Sequence, residues 1–174
     1  MPYTLAELAD DIRTSLNDAP IDDSAPQICA AVSRALNDDA FIAEHLADRP
    51  AGSGPREIIF EDPDLGFCIC AHIYEGEAVG KPHDHGSSWA IYGQAVGVTE
   101  MNDWHIVEPG DGDKPALVEH ARTYRMERGD AHFYNVGDVH SPTRHAPTRL
   151  IRIEGANLDN VTRSKIAAIE PATG

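Results

Sequence analysis

A chain of 174 residues has the length of one domain, and 41 % hydrophobic with 25 % charged residues is ordinary globular material with enough apolar content for a core. Against 29 Asp and Glu stand only 14 Lys and Arg, a formal charge of −15 that repels phosphate backbones and anionic lipid and so excludes nucleic-acid and membrane-surface partners. The longest apolar runs, Ile28 to Val32 and Phe67 to Ala71, fall far short of the roughly 20 residues that span a bilayer.

Three cysteines, Cys29, Cys68 and Cys70, are an odd number, and the last two lie too close on one strand to pair. With Met1-Pro2-Tyr3-Thr4 lacking both a basic and an apolar stretch, the expected setting is reduced and cytoplasmic.

The chain divides near Pro50, with a helical segment over residues 1–50 and a β domain with a short tail over 51–174. Thr4-Leu5-Ala6-Glu7 is a capping box, and Leu5, Leu8, Ile12 and Leu16 recur at helical spacing. A second helix is expected from Ser24, carrying Ile28, Cys29, Val32 and Leu36. A third, capped by Asp39, carries Phe41, Ile42 and Leu46 and ends before Arg49-Pro50. Ten of the acidic residues lie in the first fifty positions, so the negative charge is densest on solvated helix faces.

From Arg56 the pattern changes to strands. Segments 57–60, 67–74, 89–98, 104–107, 116–125, 131–136 and 149–153 are rich in β-branched and aromatic residues, and Gly, Pro and Asp clusters separate them. Short strands at this spacing predict an antiparallel barrel or two-sheet sandwich. A short helix is expected in the tail, around Val161 to Ile169.

Nine histidines include one group with metal-ligand spacing. In His83-Asp84-His85 two imidazoles sit at i and i+2, on one face of an extended chain, with Asp84 turned away. A third, His140, follows the Gly137-Asp138 turn. The surrounding residues follow two motifs in order. The first contains His83, His85 and Gly97, with Gly76 one residue from its usual place and Ala90 (or Trp89) where a glutamate is usual. The second contains Gly129, Gly137 and His140, with Asn135 in place of a proline and Arg144 in place of an asparagine.

On these residues the chain resembles the cupins over roughly positions 56–155, which implies a mainly β fold, a double-stranded β-helix or jelly-roll barrel with N-terminal helices. With Ala90 unable to ligate, the site is similar to the three-histidine centre of the thiol dioxygenases, cysteine dioxygenase among them. That resemblance implies one divalent metal on His83, His85 and His140, Fe(II) first, with Ni, Zn or Mn as alternatives. It also implies O2 and a small anionic substrate as partners, and Arg56 resembles the arginine that clamps the substrate carboxylate. Where the family carries a Ser-x-His-x-Tyr triad on its last barrel strand, this chain has Leu150, Arg152 and Glu154.

Arg152 and Glu154 are therefore the candidate catalytic pair if they face the metal. Glu154 could then act as general base, as fourth ligand or as the partner that fixes Arg152; otherwise both face solvent. Trp89, Tyr92 and His132 are candidates for the substrate pocket wall, with core packing as the plainer reading. His72 is read as a core or pocket-wall residue, and His45, His105, His120 and His145 as surface residues. A metal-dependent isomerase or lyase using Glu154 as base, and a non-catalytic metal- or ligand-binding barrel, are the alternatives to an iron dioxygenase. Free sheet edges allow a homodimer.

Overall fold

The computed structural model describes residues 2–169. Helices α1 (Leu5–Asp18), α2 (Ile21–Leu36) and α3 (Asp39–His45) precede ten strands. The capping box at Thr4 forms as expected: its hydroxyl accepts from the Glu7 amide at 3.2 Å, and its own amide donates to the Glu7 carboxylate at 2.8 Å. Helix α2 starts three residues before the expected Ser24, immediately after Pro20, and Asp22 and Asp23 favour the positive end of its dipole. For α3 the cap is Asp38 rather than Asp39, since its side chain accepts from the Ala40 amide at 2.8 Å.

The strands are β1 (Arg56–Glu61), β2 (Cys68–Tyr74), β3 (Ala78–Val79), β4 (Ala90–Val96), β5 (Thr99–Glu108), β6 (Ala116–Met126), β7 (Ala131–Tyr134), β8 (Val139–Arg144), β9 (Thr148–Glu154) and β10 (Ile166–Ala168). They form two five-stranded sheets, β1-β2-β9-β4-β7 and β10-β6-β5-β8-β3. Pairing is nested: β5 with β6, β4 with β7, β3 with β8 and β2 with β9, all antiparallel. One long two-stranded ribbon wound on itself produces this order, so the fold is a double-stranded β-helix. The expected tail helix is absent; residues 158–160 make a single 3-10 turn, and Ile166 to Ala168 pair in parallel with Ala116 to Val118. So short a tail gains little as an isolated helix, whereas the edge of β6 offers it ready backbone partners.

The first sheet is buried on both faces, and residue parity decides which way each side chain points. Odd-numbered Phe67, Ile69, Ile91, Ile151 and Ile153 pack with Leu8, Ile12, Ile28, Val32 and Leu36 of the helices. Even-numbered Ala90, Tyr92, Tyr134 and Leu150 face the barrel interior with Met101 and Met126 of the second sheet. Gly93 permits the close approach of α2, because a Cβ there would lie 2.4 Å from Val32 and 2.6 Å from Leu36. The helices cover one face of the sheet and leave its other face to build the site.

Candidate metal centre

His83 and His140 are brought together by the main chain. Each donates its amide to the other's carbonyl at 3.0 Å, an isolated antiparallel bridge between the loop before β4 and the start of β8. The extended segment expected at His83-Asp84-His85 thus pairs at one bridging residue, and both imidazoles reach the same point. On the other side Gly137, at φ +86°, and Asp138, whose carboxylate accepts from the Asn135 amide at 2.7 Å, make the turn that starts β8. The carboxylate of Asp84 points away and accepts from the amides of Gly86 and Ser164 at 3.0 and 3.1 Å, pinning the loop to the tail.

One nitrogen from each of His83, His85 and His140 lies within 4.8 Å of the other two. His85 and His140 are fully buried. Burial, followed by the Arg152 charge, holds His85 at about 3, and burial also pushes His83 and His140 below the ordinary imidazole range. All three rings are therefore neutral, the form that ligates a metal. Nδ1 of His83 bonds the Lys81 carbonyl at 2.8 Å, which directs its Nε2 lone pair to the cluster. Buried Nδ1 atoms of His85 and His140 have no hydrogen-bond partner, so the protein alone does not satisfy these rings. Three neutral, convergent and under-satisfied imidazoles fit one divalent cation that accepts nitrogen donors, with Fe, Zn, Ni and Mn all within that class.

Tyr92 completes the centre. Its hydroxyl lies 3.1 Å from His85 Nε2, 3.4 Å from His140 Nε2 and 3.3 Å from Nη1 of Arg152. A single hydroxyl hydrogen can be donated to only one of the two nitrogens. Tyr134 covers His140, with ring centroids 4.0 Å apart.

Arg152 and Glu154 both point into the barrel, so the solvent-facing alternative is overturned. Glu154 is fully buried and receives a two-pronged bond from Arg56, Nε at 2.9 Å and Nη2 at 2.7 Å. It also accepts from Nε of Arg152 at 2.9 Å and from the Leu158 amide at 3.1 Å. Burial opposes its charge, but the two guanidinium groups outweigh burial and hold the carboxyl at about 2. Of its three suggested roles, Glu154 takes the third: it fixes Arg152. A carboxylate so held is a poor base, and its oxygens are spent on arginine rather than on a metal. Arg56 is likewise committed, to Glu154 and, at 3.0 Å, to Asp159, so its fork is not free to clamp a substrate.

Two pocket candidates lie elsewhere. Trp89 has odd parity and packs against Phe133 on the helix side, with Gly155 under its indole. His132 is half-buried and rests on Tyr124, with ring centroids 4.6 Å apart, outside the histidine cluster. His72 is buried behind the site, 3.4 Å from the Tyr74 hydroxyl.

A cavity of about 390 Å³ borders the cluster through His83 and Tyr92 and is lined further by Arg144, Arg152 and, at its rim, Lys81 and Arg163. No acidic residue lines it among the described residues. A larger, open depression of about 680 Å³ lies on the helices around Asp11, Arg34 and Asp38, without a ligating cluster. Of this cationic lining only Arg152 is a site candidate on sequence grounds. The one other signal is Arg144, which departs from the asparagine of the second histidine motif.

No family model matches the chain, and no curated protein does. Solved structures do. A double-stranded β-helix domain protein from Klebsiella pneumoniae aligns over 72 % of this chain and 88 % of its own, with 15 % identity and a TM-score of 0.48. KdgF from Halomonas sp. aligns over 63 % and 86 %, with 18 % identity and a TM-score of 0.44. A cupin superfamily protein from Desulfitobacterium hafniense aligns over 64 % and 85 %, with 7 % identity and a TM-score of 0.46.

Proposed function

We propose that this chain is a metal-dependent dioxygenase that oxidises a small, metal-chelating organic acid with O2. His83, His85 and His140 hold one divalent ion, Fe(II) first among the candidates. Bound there, the ion supplies Lewis acidity and, as iron, redox access to O2. The observation that carries the reading is the junction of three neutral imidazoles, with no carboxylate ligand, and a cavity lined by cations. Three neutral donors leave the dication its full charge and open positions for a chelating anion beside O2.

The protein's own groups have separable tasks. The ion pair with Glu154 orients Arg152, which donates to Tyr92 and places a positive charge against the phenol oxygen. That phenol stands within hydrogen-bond reach of Nε2 of His85 and of His140 and borders the cavity, where it can donate a proton to a bound anion or accept one from it. The resemblance places a tyrosine on the last barrel strand; here the phenol comes from Tyr92 on β4, and Arg152 stands on the last strand. The substrate is defined by its charge and its chelating head, and a thiol is one such head. The free cysteines fit a reducing, cytoplasmic setting.

An isomerase or lyase relying on Glu154 as base loses that base to the two arginines. The test is elemental analysis of natively purified protein with oxygen-electrode assays against small thiols and hydroxy acids. One iron per chain and substrate-dependent O2 uptake are expected. Absence of O2 uptake by the iron-loaded protein with every such acid, together with another turnover restored by Zn(II) or Mn(II), overturns the oxygenase reading.

A further inference from the structure

Arg144 is 3 % exposed, and its guanidinium has neither an ion-pair nor a hydrogen-bond partner among the described residues. Among the described residues its guanidinium lies over the Tyr74 ring, 4.2 Å from the centroid. A buried cation without an anion is costly, and among the described residues every other buried carboxylate or guanidinium is paired: Asp62 with Arg13, Asp84 with backbone amides, Arg152 with Glu154. Arg144 lines the cavity that borders the histidines. An anion brought by a ligand would supply the missing partner.

The fold also sets the spacing between that cation and the metal centre. His140 and Arg144 stand four residues apart on β8 and share its inward face, so their Cα atoms are about 13 Å apart at the ordinary strand rise. Opposite them His83 pairs with His140 and Ala78 with Arg144, so the cavity wall runs from the histidine pair at one end to the arginine at the other.

We propose that Arg144 anchors a carboxylate at the far end of an elongated substrate whose other end binds the metal. The head-group half of this inference rests on the proposed metal-dependent function; the anchor itself does not. One buried guanidinium balances one negative charge, which favours a carboxylate over a phosphate dianion, and its planar fork can bond both carboxylate oxygens. Lys81 and Arg163 at the exposed rim attract the anion without fixing it. The substrate class is thus an organic acid with a metal-binding head and a carboxylate several bonds away, rather than a short acid chelated wholly at the metal.

Calorimetric titration tests this without turnover, using acetate, malonate, succinate, glutarate and phosphate on Zn(II)-loaded and metal-free protein. In the loaded wild type the best dicarboxylate should bind at least tenfold more tightly than acetate, with an optimum beyond malonate. Arg144→Gln should reduce that dicarboxylate to the acetate level while leaving zinc stoichiometry unchanged. In the metal-free protein acetate binding should itself depend on Arg144. Should the protein take up no zinc, the proposed function fails, and the metal-free titration still decides the anchor. Wild-type affinity in a folded Arg144→Gln variant, equal affinity for acetate and all dicarboxylates in the loaded protein, or phosphate outcompeting every carboxylate overturns the proposal. Should Arg144→Gln not fold, Arg144→Lys keeps the charge and loses the fork; several-fold weaker binding is expected, and unchanged binding overturns the proposal.

Discussion

His83 and His140 are joined twice through their main chains, amide to carbonyl at 3.0 Å in each direction. The bridge locks two candidate ligands 57 positions apart in sequence into one register, and it does so without using either side chain. Alanine at either position therefore removes an imidazole and keeps the bridge. His83→Ala and His140→Ala should each reduce bound metal from about one per chain to near zero by elemental analysis. His140 is fully buried, so its truncation should also destabilise the metal-free protein by about 1–3 kcal/mol in urea unfolding, whereas His83→Ala should change it little.

Glu154 sits between two guanidinium groups, and its removal leaves the buried Arg152 without an anion among the described residues and Arg56 with Asp159 alone. Glu154→Gln should destabilise the fold by about 3 kcal/mol at pH 7, read from urea unfolding.

The same carboxyl sets a pH dependence. Its folded value is about 2 against 4.5 for the ordinary carboxyl, so its stabilisation is complete above about pH 5 and is lost as pH falls towards 2. The stability gap between wild type and Glu154→Gln should accordingly be widest at neutral pH and shrink through that window. A gap independent of pH between 7 and 3 would contradict the assigned ion pairs.

Tyr92 joins Arg152 to two of the imidazoles by one hydroxyl. Tyr92→Phe keeps the ring that packs in the barrel and removes only that oxygen. Metal stoichiometry should be unchanged and stability should fall by about 1 kcal/mol. Turnover should drop at least tenfold in kcat, with a smaller change in KM, if the phenol handles a proton. Equal losses in metal content and kcat would make it a structural prop for the histidines.

Gly93 and Trp89 report on the helix side of the sheet. A methyl group at Gly93 meets Val32 and Leu36 at 2.4 and 2.6 Å, so Gly93→Ala should lower stability by about 1–3 kcal/mol. Trp89→Leu should also lower the melting temperature while leaving metal stoichiometry and carboxylate binding untouched. A specific loss of carboxylate binding in Trp89→Leu would return that residue to the pocket wall.

The strands and the shared face of His83 and His85 were legible in the sequence because they rest on local regularities, whereas His140 was joined to them only by the resemblance to the cupin motifs. Period-two patterning identifies strands, a glycine at positive φ marks a turn, and i, i+2 histidines share a face in any extended segment. The helix ends were less legible: Asp38 and Asp39 are both capping residues by type, and only the backbone path brings the Asp38 carboxylate to the Ala40 amide. In the tail, Ile166 to Ala168 carry no strand period of their own and were ordered by an edge of β6 that only the completed sheet exposes.

Long-range charge pairing was decided by tertiary structure. Arg56 and Glu154 lie 98 positions apart, and nothing in either segment indicates that the arginine fork is spent on that carboxylate rather than left for a substrate. The same holds for Arg144, whose lack of a partner is a property of everything around it. Trp89 was displaced from the site by one step of parity, since successive residues on a strand face opposite sides of the sheet. Short-range spacing thus determines which residues can share a face. Long-range packing determines which buried charges neutralise one another and which is left for a ligand, because Coulomb energy in a desolvated interior depends on distance in space and not on distance along the chain.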